Sequence, residues 1–264
     1  MSESSPWSTL FSRRRLAIGA KAAARQVVDA ILPPRCLACP EPVDTQGLLC
    51  SGCWSAFDFI ARPFCARCGY PFDYEQGEAA LCAACAGRPP AFATARALFR
   101  YRRESRDMIL DFKHGDRLEA GPALGRLLAA LAEGQIDRQA VVTPVPLHRS
   151  RLFARRYNQS AILARAVATV GQGDYCADAL ERIRPTPSQA GRNRRQRFRN
   201  VAAAFRVRER RQERVSGRPV WLIDDVMTTG ATLESCARSL LRGGARAVHC
   251  LTLARVVLPR TLVL

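Results

Sequence analysis

Two sets of residues in this 264-residue chain have the types and spacing to do chemistry. The first is a set of four Cys-x-x-Cys pairs: Cys36/Cys39, Cys50/Cys53, Cys65/Cys68 and Cys82/Cys85, separated by 10, 11 and 13 residues. A pair at this spacing presents two thiolates from one tight turn, and two pairs complete a tetrahedral site. Soft sulfur donors in that arrangement select zinc, with an iron–sulfur cluster as the main competitor. Four closed ligands leave no open position, so two structural zinc ions are expected. Sequential pairing of the four motifs is the simpler arrangement, and spacing leaves the interleaved one open. The bland alternatives are reduced core cysteines or a redox pair, but the regular repetition favours metal. Cys176, Cys236 and Cys250 stand alone and read as core residues.

The second set is Val220-Trp221-Leu222-Ile223-Asp224-Asp225-Val226-Met227-Thr228-Thr229-Gly230-Ala231-Thr232. Four apolar residues make a buried strand, two acids emerge at its end, and small hydroxylated residues turn into a helix. The amides of such a turn and the helix N-terminus cradle a phosphate dianion. Thr228, Thr229 and Thr232 add hydroxyl donors, and Gly230 with Ala231 lets the backbone come close. Carboxylates beside a phosphate need donors of their own, and the vicinal hydroxyls of a ribose 5′-phosphate supply them. An isolated Asp-Asp would read as a solvated turn before a helix; the whole pattern does not.

These segments require elements to hold them. Residues 95–101 read as a strand, 103–113 and 117–133 as helices, 141–146 as a strand ending in a proline-bounded loop, and 157–170 as a helix. The strand at 220–223 is followed by a helix over 231–242, closed by Gly243-Gly244, and by a last strand over 248–253. Strands alternating with helices imply an α/β fold with a mainly parallel sheet, in which ligands sit beyond the carboxyl ends of strands. Composition divides the chain into residues 1–32, a cysteine-rich segment over 33–90 ending in Gly87-Arg88-Pro89-Pro90, and an α/β domain over 91–264. In the first of these, Leu16, Ala20, Ala24, Val27 and Ile31 recur at helical spacing, which predicts an amphipathic helix lying on the protein or on a membrane surface. The arginines at 13–15 resemble an export signal, but Lys21 and Arg25 break the apolar run such a signal needs. A cytoplasmic protein without a membrane span is expected.

The charge is extreme: 41 basic residues against 23 acidic give +18, and only Lys21 and Lys113 are lysines. Nucleic acid, phosphorylated metabolites and anionic membranes are the polyanions such a chain attracts, against the bland reading of a solvated basic surface. Much of the charge lies in 182–214, an arginine run interrupted by Thr186-Pro187-Ser188-Gln189 and Asn200, which also reads as a basic hairpin or, with Phe198, as a nucleic-acid contact surface.

The Asp-Asp-Val-Met-Thr-Thr-Gly-Ala-Thr loop resembles the signature with which type I phosphoribosyltransferases bind 5-phosphoribosyl-1-pyrophosphate (PRPP). With Thr143-Pro144-Val145-Pro146-Leu147-His148, Arg155-Arg156-Tyr157-Asn158-Gln159 and the upstream cysteine pairs, it resembles the competence protein F (ComF) family over roughly residues 25–258. That resemblance implies a type I phosphoribosyltransferase fold preceded by a double zinc ribbon. It implies that Asp224 and Asp225 hold the ribose hydroxyls and that Thr228, Thr229, Gly230, Ala231 and Thr232 hold the 5′-phosphate. It further implies a pyrophosphate loop at Val145, Pro146, Leu147 and His148 with Arg155 and Asn158, substrate contact by Lys113, and closure of a segment carrying Arg194, Arg195 and Arg197. Mg²⁺ would arrive with PRPP.

One departure stands out: the family has glycine where this chain has Arg156. Another is Thr228, where some purine-type relatives carry an acid; this weakens a 6-oxopurine assignment and leaves no clear general base. Three functions follow from the resemblance: phosphoribosyl transfer to an unidentified nitrogen acceptor, PRPP or nucleotide sensing without turnover, and a competence-related role with single-stranded DNA or a DNA-processing protein as partner. Pyrophosphate release with an acceptor separates the first from the second. Salt-sensitive DNA binding that survives loss of Asp224 and Asp225 marks the third.

Overall fold

The structure is a computed structural model that describes residues 33–114, 117–132, 134–148, 152–153, 156–184 and 203–257. The expected N-terminal helix, Arg155, Arg194, Arg195, Arg197 and Phe198 lie outside the described residues.

The strands are β1 (Thr94–Arg100), β2 (Val141–Pro144), β3 (Asp174–Tyr175), β4 (Leu180–Arg182), β5 (Phe205–Val207), β6 (Pro219–Met227) and β7 (Ala247–Arg255). The helices are α1 (Ser51–Ala56), α2 (Ala83–Gly87), α3 (Arg103–His114), α4 (Gly121–Ala130), α5 (Gln159–Gly171), α6 (Gln212–Val215) and α7 (Ala231–Arg242). Five strands form one sheet in the order β1-β7-β6-β2-β3, and every pairing in it is parallel. Covered on both faces, such a sheet needs strands that are apolar on both sides. β6 shows how: Trp221 and Ile223 point into one core, Val220 and Leu222 into the other. The first core is completed by Leu124 and Leu128 of α4 and Leu163 and Val167 of α5. The second is completed by Leu233, Cys236 and Leu240 of α7. β4 and β5 form a separate antiparallel pair that brackets the arginine run. Cys176, Cys236 and Cys250 are buried, as isolated cysteines tend to be.

The cysteine-rich segment packs against this body. Leu37 and Phe57 belong to the first core, and Cys65, Cys68, Cys85 and Phe92 to the second. The Phe57 and Phe59 rings stand 4.8 and 5.0 Å from Phe99. The stretch between the two ribbons runs antiparallel along the outer side of β1, with Ile60 N–H donating to the Leu98 carbonyl and Arg100 N–H to that of Asp58, both at 2.8 Å. That pairing covers an edge strand that would otherwise expose a free row of amides. Gly69 lies so close to β1 that a Cβ there would sit 2.5 Å from the Ala95 carbonyl oxygen.

The strand carrying the two acids is longer than the sequence reading gave it. β6 continues through Asp224 and Asp225 to Met227, because β7 pairs with it along its whole length, as far as Met227 opposite Arg255. Tertiary pairing extends a strand where local composition signals a loop.

Candidate functional site: two cysteine clusters and a phosphate loop

The four cysteine pairs meet sequentially. The sulfurs of Cys36, Cys39, Cys50 and Cys53 all lie within 4.8 Å of one another, as do those of Cys65, Cys68, Cys82 and Cys85. The Cys39–Cys50 and Cys68–Cys82 sulfurs are 3.7 and 3.6 Å apart. A tetrahedron with zinc–sulfur bonds of about 2.3 Å has edges of about 3.8 Å, so each cluster has the size of a Cys₄ zinc site. Amides point at the sulfurs, from Cys50 to Cys36 at 3.2 Å and from Cys82 to Cys65 at 3.3 Å, the second shell that thiolates require. Burial opposes it, but the amides of Ala38, Cys50 and Cys39 bring Cys36 down to about 7. Burial and the nearby Cys68 push Cys85 up to about 12. Four sulfurs this close cannot all shed their protons without a cation among them.

Arginines of the α/β body hold both clusters by their backbone. Arg117 donates from Nη2 to the Cys36 carbonyl at 2.6 Å, and Arg255, at the end of β7, donates to that of Cys68. Arg96 of β1 reaches the Ala66 carbonyl at 3.0 Å.

The phosphate loop leaves the sheet at the end of β6. Gly230 has φ +78°, the left-handed region that suits glycine, and precedes α7 with no side chain capping the helix. The first turn of a helix carries free amides, and here they face the loop. The Thr229 hydroxyl is buried without a hydrogen-bond partner among the described residues. Buried hydroxyls are seldom left without a partner, so this one sets the loop apart as a polar site.

Asp224 and Asp225 are differently held. Asp224 Oδ1 accepts from the Ser160 hydroxyl at 3.1 Å and from the Asp225 amide at 2.9 Å. Lys113 places Nζ 2.9 Å from Asp225 Oδ2, with both side chains less than a fifth exposed. Burial, then the charge of Asp225, push Asp224 up to about 7. The folded state therefore binds that proton more tightly than the unfolded chain, whose aspartates titrate near 3.9. Its stabilising contribution is complete below about pH 4 and fades as the pH rises to about 7. Asp224→Asn should accordingly make the protein more stable than the parent above pH 7 and change little near pH 4, as read from denaturant midpoints at the two pH values.

The Tyr157-Asn158-Gln159 segment fastens these parts together. Asn158 donates to the Val145 carbonyl at 3.1 Å, and its Oδ1 caps α5 by accepting from Ser160 N–H at 3.1 Å. Tyr157 O–H and Gln159 Nε2 donate to the Lys113 carbonyl at 3.1 and 2.9 Å. Val145 in turn donates its amide to Ile223 of β6 at 2.8 Å. Of the expected site residues, the structure thus gathers Asp224, Asp225, Thr228 to Thr232, Lys113, Asn158 and Val145 at one edge of the sheet. Pro146, Leu147 and His148 follow Val145 in irregular backbone.

Ser160 went unnoticed in the sequence, although a serine two places after a helix-capping asparagine is a signal for it. Arg156 has φ +62°, so it takes up the glycine-like backbone that the family pattern implies. Left-handed backbone costs a residue with a Cβ about 1–2 kcal/mol, offset in part by the greater freedom glycine has when unfolded. Arg156→Gly should therefore raise stability by up to about 1 kcal/mol, and Arg156→Val should lower it, both measurable by chemical denaturation.

Known proteins share these features. Residues 27–87 match the family described as "Double zinc ribbon domain". "DNA utilization protein YhgH" of Escherichia coli K12 is 30% identical over 234 residues, spanning 86% of this chain and 99% of the relative. "Competence protein F" of Haemophilus influenzae is 27% identical over 227 residues, 84% of this chain and 96% of the relative. Among solved structures, the glutamine PRPP amidotransferase of B. subtilis matches 55% of this chain and 30% of its own at 19% identity and a TM-score of 0.36, a likeness too slight to weigh. With the two cysteine clusters, the parallel sheet and a match that spans 99% of YhgH, the chain belongs to the ComF family of competence and DNA-utilization proteins.

Proposed function

We propose that the protein binds PRPP at the end of β6 and transfers its phosphoribosyl group to a nitrogen acceptor. The observation that carries this reading is the pair Asp224–Asp225 followed at once by an uncapped helix N-terminus and the unpartnered Thr229 hydroxyl. On this reading the 5′-phosphate lies on the amides of residues 228–232 with the threonine hydroxyls around it, and the ribose hydroxyls donate to the two carboxylates. The C1′–O bond to pyrophosphate breaks, the C1′–N bond forms, and the nitrogen gives up its proton to solvent. Positive charge developing at C1′ is favoured by the two carboxylates beneath the ring. Mg²⁺, arriving with PRPP, would neutralise the leaving pyrophosphate. Lys113, now on Asp225, is the residue of the chain positioned to follow charge changes there. On this reading the pyrophosphate lies against Val145 to His148. Calorimetric titration of zinc-loaded protein with PRPP and Mg²⁺ tests the binding step, and pyrophosphate release in an acceptor screen tests the transfer.

A second reading, a DNA-handling role, is favoured by a separate observation. Three acids near the α6 end of the molecule are each shared by two arginines: Asp174 by Arg214 and Arg218, Asp178 by Arg210 and Arg211, and Glu181 by Arg206 and Arg208. Six cations against these three anions and the neighbouring Glu209 and Glu213 leave a small surplus, the sign that suits a phosphate backbone. Single-stranded DNA binding through this face should weaken with salt at a log–log slope of about −0.7 per phosphate contacted, and fluorescence anisotropy at several salt concentrations reads that slope. A binding constant indifferent to salt would sink the reading.

A further inference from the structure

We propose that the cleft between the second ribbon and the carboxyl end of β1 is a binding site for a nucleobase. It encloses about 430 Å³ and is lined from the ribbon by Tyr70, Phe72, Asp73 and Gln76 and from the sheet side by Arg100 and Arg102. That volume is in the range of small-molecule sites. The site is distinct from the phosphate loop. β1 lies two strands from β6 along the same edge, roughly 10 Å away at the usual strand spacing, and no residue of the Asp224–Asp225 site lines it.

The lining matches a base in three respects. Tyr70 and Phe72 offer aromatic surface, on which any base can stack. Around those rings stand both kinds of polar group that a base edge requires. Arg100 and Arg102 donate, Asp73 accepts, and Gln76 does both. The two arginines, the Tyr70 ring and the Phe72 backbone are also held in place before any ligand arrives. Arg102 Nε donates to Asp58 Oδ2 at 2.8 Å, and Arg100 Nε lies 3.4 Å from Oδ1 of the same carboxylate. The Arg255 guanidinium sits 5.2 Å from the centre of the Tyr70 ring. The Phe72 amide is bonded to the Pro63 carbonyl at 2.9 Å. Rigid aromatic and polar groups bind at little ordering cost. A phosphorylated sugar without a base fits less well, because the carboxylates of Asp58 and Asp73 balance the two arginines and nothing in the sugar uses the rings.

The same chemistry is presented by a free base and by a base in a single strand, and the test separates them. Zinc-loaded full-length protein would be titrated with adenine, with cytosine and with a short oligodeoxyadenylate, by calorimetry and saturation-transfer NMR. The parent would be compared with Phe72→Leu and Arg102→Gln. The Arg102 side chain is 62% exposed, so its replacement spares the fold, and unchanged zinc content would verify this for both variants. Binding of a base is expected, weakened about fivefold or more by Phe72→Leu, in keeping with the worth of base–aromatic stacking. A similar loss is expected in Arg102→Gln, and no change in Asp224→Asn/Asp225→Asn. Binding of the bases alone would mark a free-base site. Binding of the oligonucleotide with the same sensitivity, in competition with adenine, would mark a strand-borne base. The proposal is overturned if none of the three probes binds, or if they bind and neither variant weakens them. Because the Asp224/Asp225 variant retains this cleft, failure here leaves the PRPP reading standing, and the reverse also holds.

Discussion

Removing zinc from the second cysteine cluster, by a strong chelator or by Cys65→Ser, will unfold much more than a ribbon. Structural zinc contributes about 10–16 kcal/mol in small zinc peptides, against a total stability of about 5–15 kcal/mol for a typical domain. In this protein the loss spreads, because Cys65, Cys68 and Cys85 belong to the same buried cluster as Val220, Leu222 and Leu233 on either side of the phosphate loop. The mechanical link is specific. Arg255 grips the Cys68 carbonyl and lies opposite Met227 in the sheet, and Val256 N–H donates to the Met227 carbonyl at 2.9 Å. Met227 in turn packs where a Cβ on Gly230 would touch its methyl at 2.9 Å. The expected result is one cooperative loss of helical and near-ultraviolet circular dichroism on chelation, with PRPP binding disappearing over the same range. A ribbon that unfolds while the sheet and the ligand site persist would show that the two are energetically separate.

Asp224→Asn/Asp225→Asn should abolish detectable PRPP binding while leaving a folded protein. Hydrogen bonds to charged groups are worth about 1.5–3 kcal/mol each, so losing both carboxylates weakens binding by about 10² to 10⁴-fold. Loss by unfolding is an unattractive explanation, since Asp224→Asn relieves a burial penalty. Asp225→Asn does carry a cost, because it leaves Lys113 without its partner, and the double variant with Lys113→Met restores that balance. Calorimetry of both forms distinguishes lost recognition from lost structure. Retention of binding by the double variant would move the ligand elsewhere and shift weight to the DNA-handling role.

How much of this could be seen in the sequence depended on whether the signal was local. The cysteine clusters were legible because each pair is four residues of chain making one turn, and only their mutual pairing needed three dimensions. The loop from Ile223 to Thr232 was legible for the same reason: strand end, glycine and helix start are contiguous. What escaped was every contact made at long range. The Lys113–Asp225 ion pair joins residues on α3 and β6, and the Ser160 hydroxyl reaches Asp224 from α5. Pairing with β7 carried β6 past the two acids. The docking of the ribbons by Arg117 and Arg255 was equally invisible, since among so many arginines none announces itself as buried. The folded backbone of Arg156 is an intermediate case: the motif marked the position, and only the structure supplied its positive φ.

The order β1-β7-β6-β2-β3 has a consequence for the way the chain is made. During synthesis the amino-terminal cysteines leave the ribosome first, and each cluster needs only a local stretch of chain to capture its metal. β1 follows at once, but its sheet partner β7 begins at Ala247, and β2 must likewise wait for β6. For most of translation the central sheet has no middle. The contacts that Asp58 and Ile60 make with one side of β1, and that Phe57 and Phe59 make with Phe99, involve only residues made by then. The first strand thus has on one side a partner that precedes it in the chain, while on the other it must wait for almost the last strand made.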